Sequence, residues 1–194
     1  MIDTSGHHIV YGTLRDVLTG EELPDTDDER IRQQLTRWLL DAKGYLPGDL
    51  APRLAIATEV NGQRVSSLIE LTVTLNGQRL LIIRYGPGSL VTRERPAIAA
   101  ARLLELEYRI PLAAVTNGRD AELLDTRDGR VLATGMAAIP GRESLADMAS
   151  CLVFEPFVGT ERRDREARIL NAFDVEVCCH GAKCALPPGG KDPN

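Results

Sequence analysis

The stretch Leu54–Tyr85, LAIATEVNGQRVSSLIELTVTLNGQRLLIIRY, decides the fold. Its apolar runs are separated by two turn signals, Asn61-Gly62 and Asn76-Gly77. Asn-Gly is the preferred pair for a two-residue hairpin turn, because both positions of that turn require a positive φ. The stretch therefore predicts an antiparallel meander with strands over residues 54–60, 65–75 and 79–85.

A helix is predicted on each side of this meander along the chain. Upstream, Thr26 with Glu29 fits a capping box, and apolar residues then recur at helical spacing as far as Gly44. Downstream, a helix is predicted over about residues 94–108, with Pro96 in its first turn.

The rest of the core is predicted to be strands. Pro111 precedes an apolar strand over residues 112–115, and a hairpin is predicted over residues 121–134. A helix between two strands favours a parallel crossover. We therefore expect an α/β fold, α+β-like in its element order, with a mixed central sheet flanked by helices.

Three segments are expected along the chain. Residues 1–24 are expected to form an N-terminal arm with an edge strand at Ile9–Tyr11, and residues 25–150 the core domain. Residues 151–194 are expected to hold a strand-like run, a charged helix and a flexible tail that contains cysteines.

Composition limits the classes of function. The chain has 194 residues, of which 43% are hydrophobic and 26% charged, which is typical of a soluble globular protein. Its formal net charge of −5 disfavours strong non-specific binding to nucleic acid. No apolar run is long enough to span a bilayer, and the N-terminus does not have the pattern of a signal peptide, so we expect a cytoplasmic protein with no membrane partner.

The order of short motifs resembles the N-terminal domain of type I restriction enzyme R subunits. The similar features are Gly44-Tyr45-Leu46-Pro47 after the first helix, the acidic Glu70 within the meander, and Thr116-Asn117-Gly118 after a later strand. The resemblance covers about residues 25–134 and implies a restriction-endonuclease-like core of the PD-(D/E)xK type. It also implies Mg²⁺-dependent cleavage of DNA, and nucleic acid or a protein of a restriction or DNA-processing system as partner.

The catalytic residues that the resemblance implies are only partly present. Glu70 falls at the position of the family's first carboxylate, and Glu29 at that of a further acidic ligand. Each has a plainer alternative, a solvent-facing strand residue and a capping residue respectively. The Glu-x-Lys pair is replaced by Ile83, Arg84 and Tyr85, and no lysine lies between Lys43 and Lys183.

These substitutions indicate a degenerate nuclease that acts as a nucleic-acid or protein binding or regulatory module. A first alternative is an active Mg²⁺-dependent endonuclease with a rearranged site of Glu29, Glu70 and Arg84. A second is a protein-interaction subunit that uses its C-terminal helix and tail. The sequence leaves the oligomeric state open.

Two further groups are candidate binding sites. Gly86, Gly88 and Ser89 precede a helix with Arg93 and Arg95 beside its start, an arrangement that favours an anion such as phosphate, or else is a turn with solvated arginines. In the tail, four soft ligands could hold zinc, although incidental thiols are the plainer interpretation because the group is one short segment: Cys178, Cys179, His180 and Cys184.

Overall fold

A computed structural model of the chain describes residues 10–60 and 63–173. The elements in chain order are β1 Thr13–Arg15, β2 Glu22–Pro24, α1 Asp27–Asp41, β3 Leu50–Val60, β4 Gln63–Leu75, β5 Gln78–Tyr85, α2 Val91–Leu103, β6 Leu112–Thr116, β7 Ala121–Asp125, β8 Val131–Thr134, α3 Arg142–Ala149 and α4 Thr160–Phe173.

The central sheet has six strands in the order β3-β4-β5-β6-β7-β8. All neighbours are antiparallel except β5 and β6, which are parallel and are connected through α2. The fold is therefore α/β with a mixed central sheet flanked by helices, and the expected meander and crossover are confirmed. β1 and β2 form a separate small hairpin.

A hydrophobic cluster covers each face of the sheet. On one face, Leu35 and Leu39 of α1 and Leu145 of α3 pack against strand residues that include Ile83. On the other face, α2 is sandwiched between the sheet and α4, so that Ala97–Ala101 are almost completely buried. A helical segment that is buried on two sides is apolar all round, as residues 96–101 of α2 are.

Helix α1 begins and ends where the sequence predicts. Thr26 is the N-cap, and its hydroxyl accepts a hydrogen bond from the Glu29 backbone N–H at 3.2 Å. Gly44 reverses the chain at φ +73°, a conformation that costs glycine little, and Tyr45 N–H then donates to the Leu39 carbonyl at 3.2 Å. This turn directs the chain into β3.

Three predictions need correction. Helix α2 begins at Val91 and ends at Leu103, so Pro96 lies inside the helix and not in its first turn. The strand-like run expected from Cys151 to Phe157 has no strand, and α3 was not predicted. The six-stranded sheet contains no edge strand from the arm among the described residues, although Val10 forms an isolated bridge; Ile9 lies outside them.

The helix at the end of the chain is confirmed. Residues 161–173 were expected to be helical, and α4 spans Thr160–Phe173. No helix in the described ranges is long and apolar enough to cross a membrane. The division of the chain into arm, core and tail stays a prediction.

Candidate functional site

The candidate site lies where β4 separates from β5. Backbone pairing between these strands extends only to Leu71 opposite Ile83, whereas β5 continues beside β6 to Tyr85. Arg84 bridges the gap: its Nε lies 3.2 Å from Glu70 Oε2, and its Nη2 donates to the Leu68 carbonyl at 3.2 Å. The structure thus brings together two of the predicted site residues, Glu70 and Arg84.

At Glu70, strand β4 also changes the face of the sheet on which its odd-numbered side chains are buried. Ile69 belongs to the cluster under α2 and α4, whereas Leu71 belongs to the cluster under α1. Opposite this point, Arg53 of β3 adopts φ +53°, and the residues on either side of it pair with Ile69 and Leu71. This irregularity lets Glu70, with 23% of its side chain exposed, lie between two fully buried neighbours.

The two residues at the Glu and Lys positions of the family motif have different surroundings. Ile83 is completely buried in the cluster that includes Leu35 and Leu39 of α1. Tyr85 lies at the end of β5, where burial and then the charges of Asp28 and Asp27 raise the pKa of its hydroxyl. Neither side chain offers a carboxylate, and the end of α1 that faces Tyr85 is acidic.

Glu29 contributes to a buried network that ties the arm to α1. Its carboxylate forms an ion pair with Arg32 and accepts a hydrogen bond from Gln33 Nε2 at 2.8 Å. Arg32, only 3% exposed, also pairs with Asp16 of the turn after β1. The described contacts of the Glu29 carboxylate therefore lie within this network and do not include Glu70 or Arg84.

The loop from Gly86 to Ser89 precedes α2, as the sequence indicates, but its arginines differ in their contacts. The guanidinium of Arg93 lies over Gly86 so closely that a Cβ there would be 2.6 Å from Arg93 Nε. Arg95 instead reaches α4 and pairs with Glu166 at 3.1 Å. Of the two arginines, Arg93 is therefore placed to contact an anion at this loop, whereas Arg95 forms an ion pair with α4.

One pair of carboxylates was missed in the sequence. Glu122 of β7 has its pKa raised by burial, then by the charge of Glu94 on α2 and a hydrogen bond with it. Within the described residues, Glu122 Oε2 is buried without a hydrogen-bond partner of its own. The sequence signal is an acid between the apolar residues Ala121 and Leu123, and this signal does not identify Glu94, which is 28 residues away in the chain.

Metal ligands are sparse in the part of the chain that the structure describes. Those residues contain no group of three or more His, Cys, Asp or Glu side chains placed to hold a metal ion. Cys178, Cys179, His180 and Cys184 lie outside the described residues, so the zinc hypothesis stays a prediction.

Comparison with known proteins identifies a family. A family model described as type I restriction enzyme R protein N terminus matches residues 27–140, which is more than half of the chain. Searches of curated proteins and of solved structures give no match. The matched range starts at α1, ends after β8 and includes the candidate site.

Proposed function

Because the chain belongs to the family of type I restriction enzyme R protein N termini, we propose that it is a nuclease-like domain that does not cleave DNA. It acts instead as a binding module of a restriction or DNA-processing system in the cytoplasm. The observation that carries the proposal is the pairing of Glu70 with Arg84 beside a completely buried Ile83.

The residues at β5 lack what a magnesium site requires. Mg²⁺ binds oxygen ligands in an octahedron and needs carboxylates that are not already neutralised. At β5 the donor set is a hydrocarbon, a guanidinium and a phenol, and Arg84 places a positive charge 3.2 Å from the Glu70 carboxylate. These residues do not fit Mg²⁺, because a divalent cation at Glu70 would meet the charge of Arg84.

A protein partner is favoured over DNA by the charges around this edge of the sheet. Asp27 and Asp28 act on Tyr85 at the end of β5, and the net charge of the whole chain is −5. Phosphate groups approaching this edge would meet these carboxylates as well as the guanidinium groups of Arg84 and Arg93, so the edge offers DNA no strong net attraction. We therefore propose binding to another protein of the same system as the retained role.

A cleavage assay tests the first part of the proposal. The purified full chain is incubated with supercoiled and linear duplex DNA in Mg²⁺ and in Mn²⁺, and we expect no cleavage above the protein-free control. Two variants are run in parallel: Glu70→Gln, and Glu107→Gln as an exposed control. Metal-dependent cleavage that Glu70→Gln abolishes and Glu107→Gln preserves would show that the active-nuclease alternative is correct.

A binding assay tests the second part. Fluorescence anisotropy with labelled duplex DNA is expected to give no Kd tighter than about 10 μM at moderate salt, which is within the range of non-specific contact. Isothermal titration with the protein products of neighbouring genes is expected to give a saturable heat for at least one of them. Tight DNA binding without any protein partner would reverse the assignment.

A further inference from the structure

A small cleft opens at the end of the sheet opposite the candidate site. It lies at the start of β6 and the end of β7, whereas Tyr85 and Thr116 mark the other end of the parallel pair. Its volume is about 100 Å³. The lining includes Arg109, Asp125, Arg127, Leu132, Met148 and Val153.

Arg109 gives the cleft a buried positive charge. The residue is 6% exposed, and its Nε donates to Thr126 Oγ1 at 3.2 Å. Its Nη1 lies 3.6 Å from Glu155 Oε2, which is longer than a hydrogen bond, and the Glu155 side chain is 56% exposed. Glu155 therefore has much of its solvation, and a second carboxylate can compete with it for Arg109.

The charges in the lining are unequal in number. Arg109 and Arg127 are positive, and Asp125 is the one acidic residue among those that line the cleft. The Asp125 carboxylate already accepts a hydrogen bond from the Arg127 backbone N–H at 2.8 Å. The lining residues alone carry a net charge of +1, which Glu155 offsets from beside Arg109, so a ligand carboxylate that replaces Glu155 at Arg109 keeps the charges balanced.

The remaining walls are apolar and extend to the surface. Leu132 and Val153 line the cleft while remaining 39% and 45% exposed, and Met148 and Leu152 lie deeper against the α1-side core. Exposed aliphatic side chains grouped around a concave surface mark a binding site more often than isolated ones do. The volume is below the roughly 300–1,000 Å³ typical of drug-sized ligands, so the occupant is about the size of one amino-acid side chain.

We propose that this cleft binds an aliphatic carboxylate, with the carboxylate on Arg109 and the hydrocarbon against Leu132, Met148 and Val153. Two sources share this chemistry: a free short-chain monocarboxylate, and the C-terminal residue of another polypeptide when that residue is apolar. The site is distinct from the edge of the sheet discussed under the proposed function and does not depend on it.

Methionine-methyl NMR on the full chain tests the proposal. Met148 lines the cleft, and Met136 lies at the other end of β8 and serves as an internal control. Titration with 3-methylbutanoate is expected to shift the Met148 methyl signal with a Kd on the order of 1 mM and to leave Met136 unchanged. The uncharged 3-methylbutanamide should bind roughly tenfold more weakly or worse, because it lacks the charge-assisted hydrogen bond to Arg109.

Peptides distinguish the two sources. A short peptide ending in leucine with a free carboxylate is compared with the same peptide as its C-terminal amide. Tighter binding of the free-acid peptide than of 3-methylbutanoate would identify a chain terminus as the ligand; binding of 3-methylbutanoate alone would identify a small molecule. Either result supports the proposal that the cleft binds an aliphatic carboxylate.

Two variants test whether 3-methylbutanoate binds in the cleft. Leu132→Glu places a negative charge at the rim and should weaken 3-methylbutanoate binding at least tenfold, while Val91→Glu, at a 69% exposed position on α2, should leave it unchanged. Because both positions are exposed, both variants are expected to fold. An unperturbed Met148 signal up to about 20 mM ligand, equal binding of the amide, or no effect of Leu132→Glu would each overturn the proposal.

Discussion

Replacing Asp16 with asparagine is expected to weaken the attachment of the N-terminal arm. The carboxylate is completely buried, accepts hydrogen bonds from the backbone N–H groups of Leu18 and Thr19 at 2.8 and 2.9 Å, and pairs with Arg32. Burial raises the pKa of this carboxyl, but the Thr19 and Leu18 backbone bonds and the Arg32 charge outweigh burial and lower the pKa to about 2.

The contribution of the Asp16 carboxylate to the free energy of unfolding follows from this pKa. A carboxyl that falls from 3.8 in the unfolded chain to about 2 in the folded one stabilises the fold by about 2 kcal/mol at neutral pH. Because the folded pKa is the lower one, this stability is fully present well above pH 3.8 and is lost as the pH falls through about 2. At pH 3 roughly half of it should remain.

Urea unfolding of the wild type and of Asp16→Asn, followed by circular dichroism between pH 7 and pH 3, measures the difference. The neutral amide of the variant cannot form an ion pair with Arg32, so a loss of about 2 kcal/mol is expected at pH 7, shrinking towards pH 3. Asp164→Asn, an exposed change on α4, should shift stability by less than about 0.5 kcal/mol. A penalty that stays constant over this pH range would refute the role given to the charge of Asp16.

Three further changes test other contacts. Glu166→Gln should destabilise the fold by about 2 kcal/mol in urea unfolding, because Arg102, now 2.7 Å from that carboxylate, loses its buried counter-charge; no loss would mean that the pair does not hold α4. Tyr45→Phe should cost about 1 kcal/mol, since the hydroxyl donates to the Pro140 carbonyl at 3.0 Å; an unchanged urea midpoint would contradict this. Glu122→Gln should raise the thermal midpoint at pH 7 and not at pH 4. The pKa of this carboxyl is higher in the folded chain than in the unfolded one, so its ionisation destabilises the fold only when the pH is above the ordinary pKa of a glutamate. An equal gain at both pH values would contradict this.

The bounds of α2 differ from those predicted from the sequence. The apolar pattern of this helix has no single stripe, because both the sheet and α4 cover it. Residues 92–95 are polar and residues 96–101 are apolar on every side, so periodicity does not mark the start at Val91, and the helix encloses Pro96. Helix α3 was missed because it has only eight residues and one fully buried side chain, Leu145.

The candidate site was predicted in part. Neighbouring strands in a meander place Glu70 and Arg84 side by side, and the sequence therefore suffices to list both. It does not predict that Arg84 bridges a gap between strands, because the point at which the β4–β5 pairing ends is set by tertiary packing. Nor does it predict that Arg95 is taken up by Glu166, since 71 residues separate the two.

The sequence by itself determined the meander, the crossover through α2 and the absence of the Glu-x-Lys pair, because turn residues, periodicity and residue type act over short distances along the chain. Only the tertiary structure decided which charges meet: Arg84 with Glu70, Arg32 with Asp16, and Arg95 with Glu166. The physical reason is that electrostatic pairing depends on distance and burial in space, and packing sets both from residues far apart in the chain.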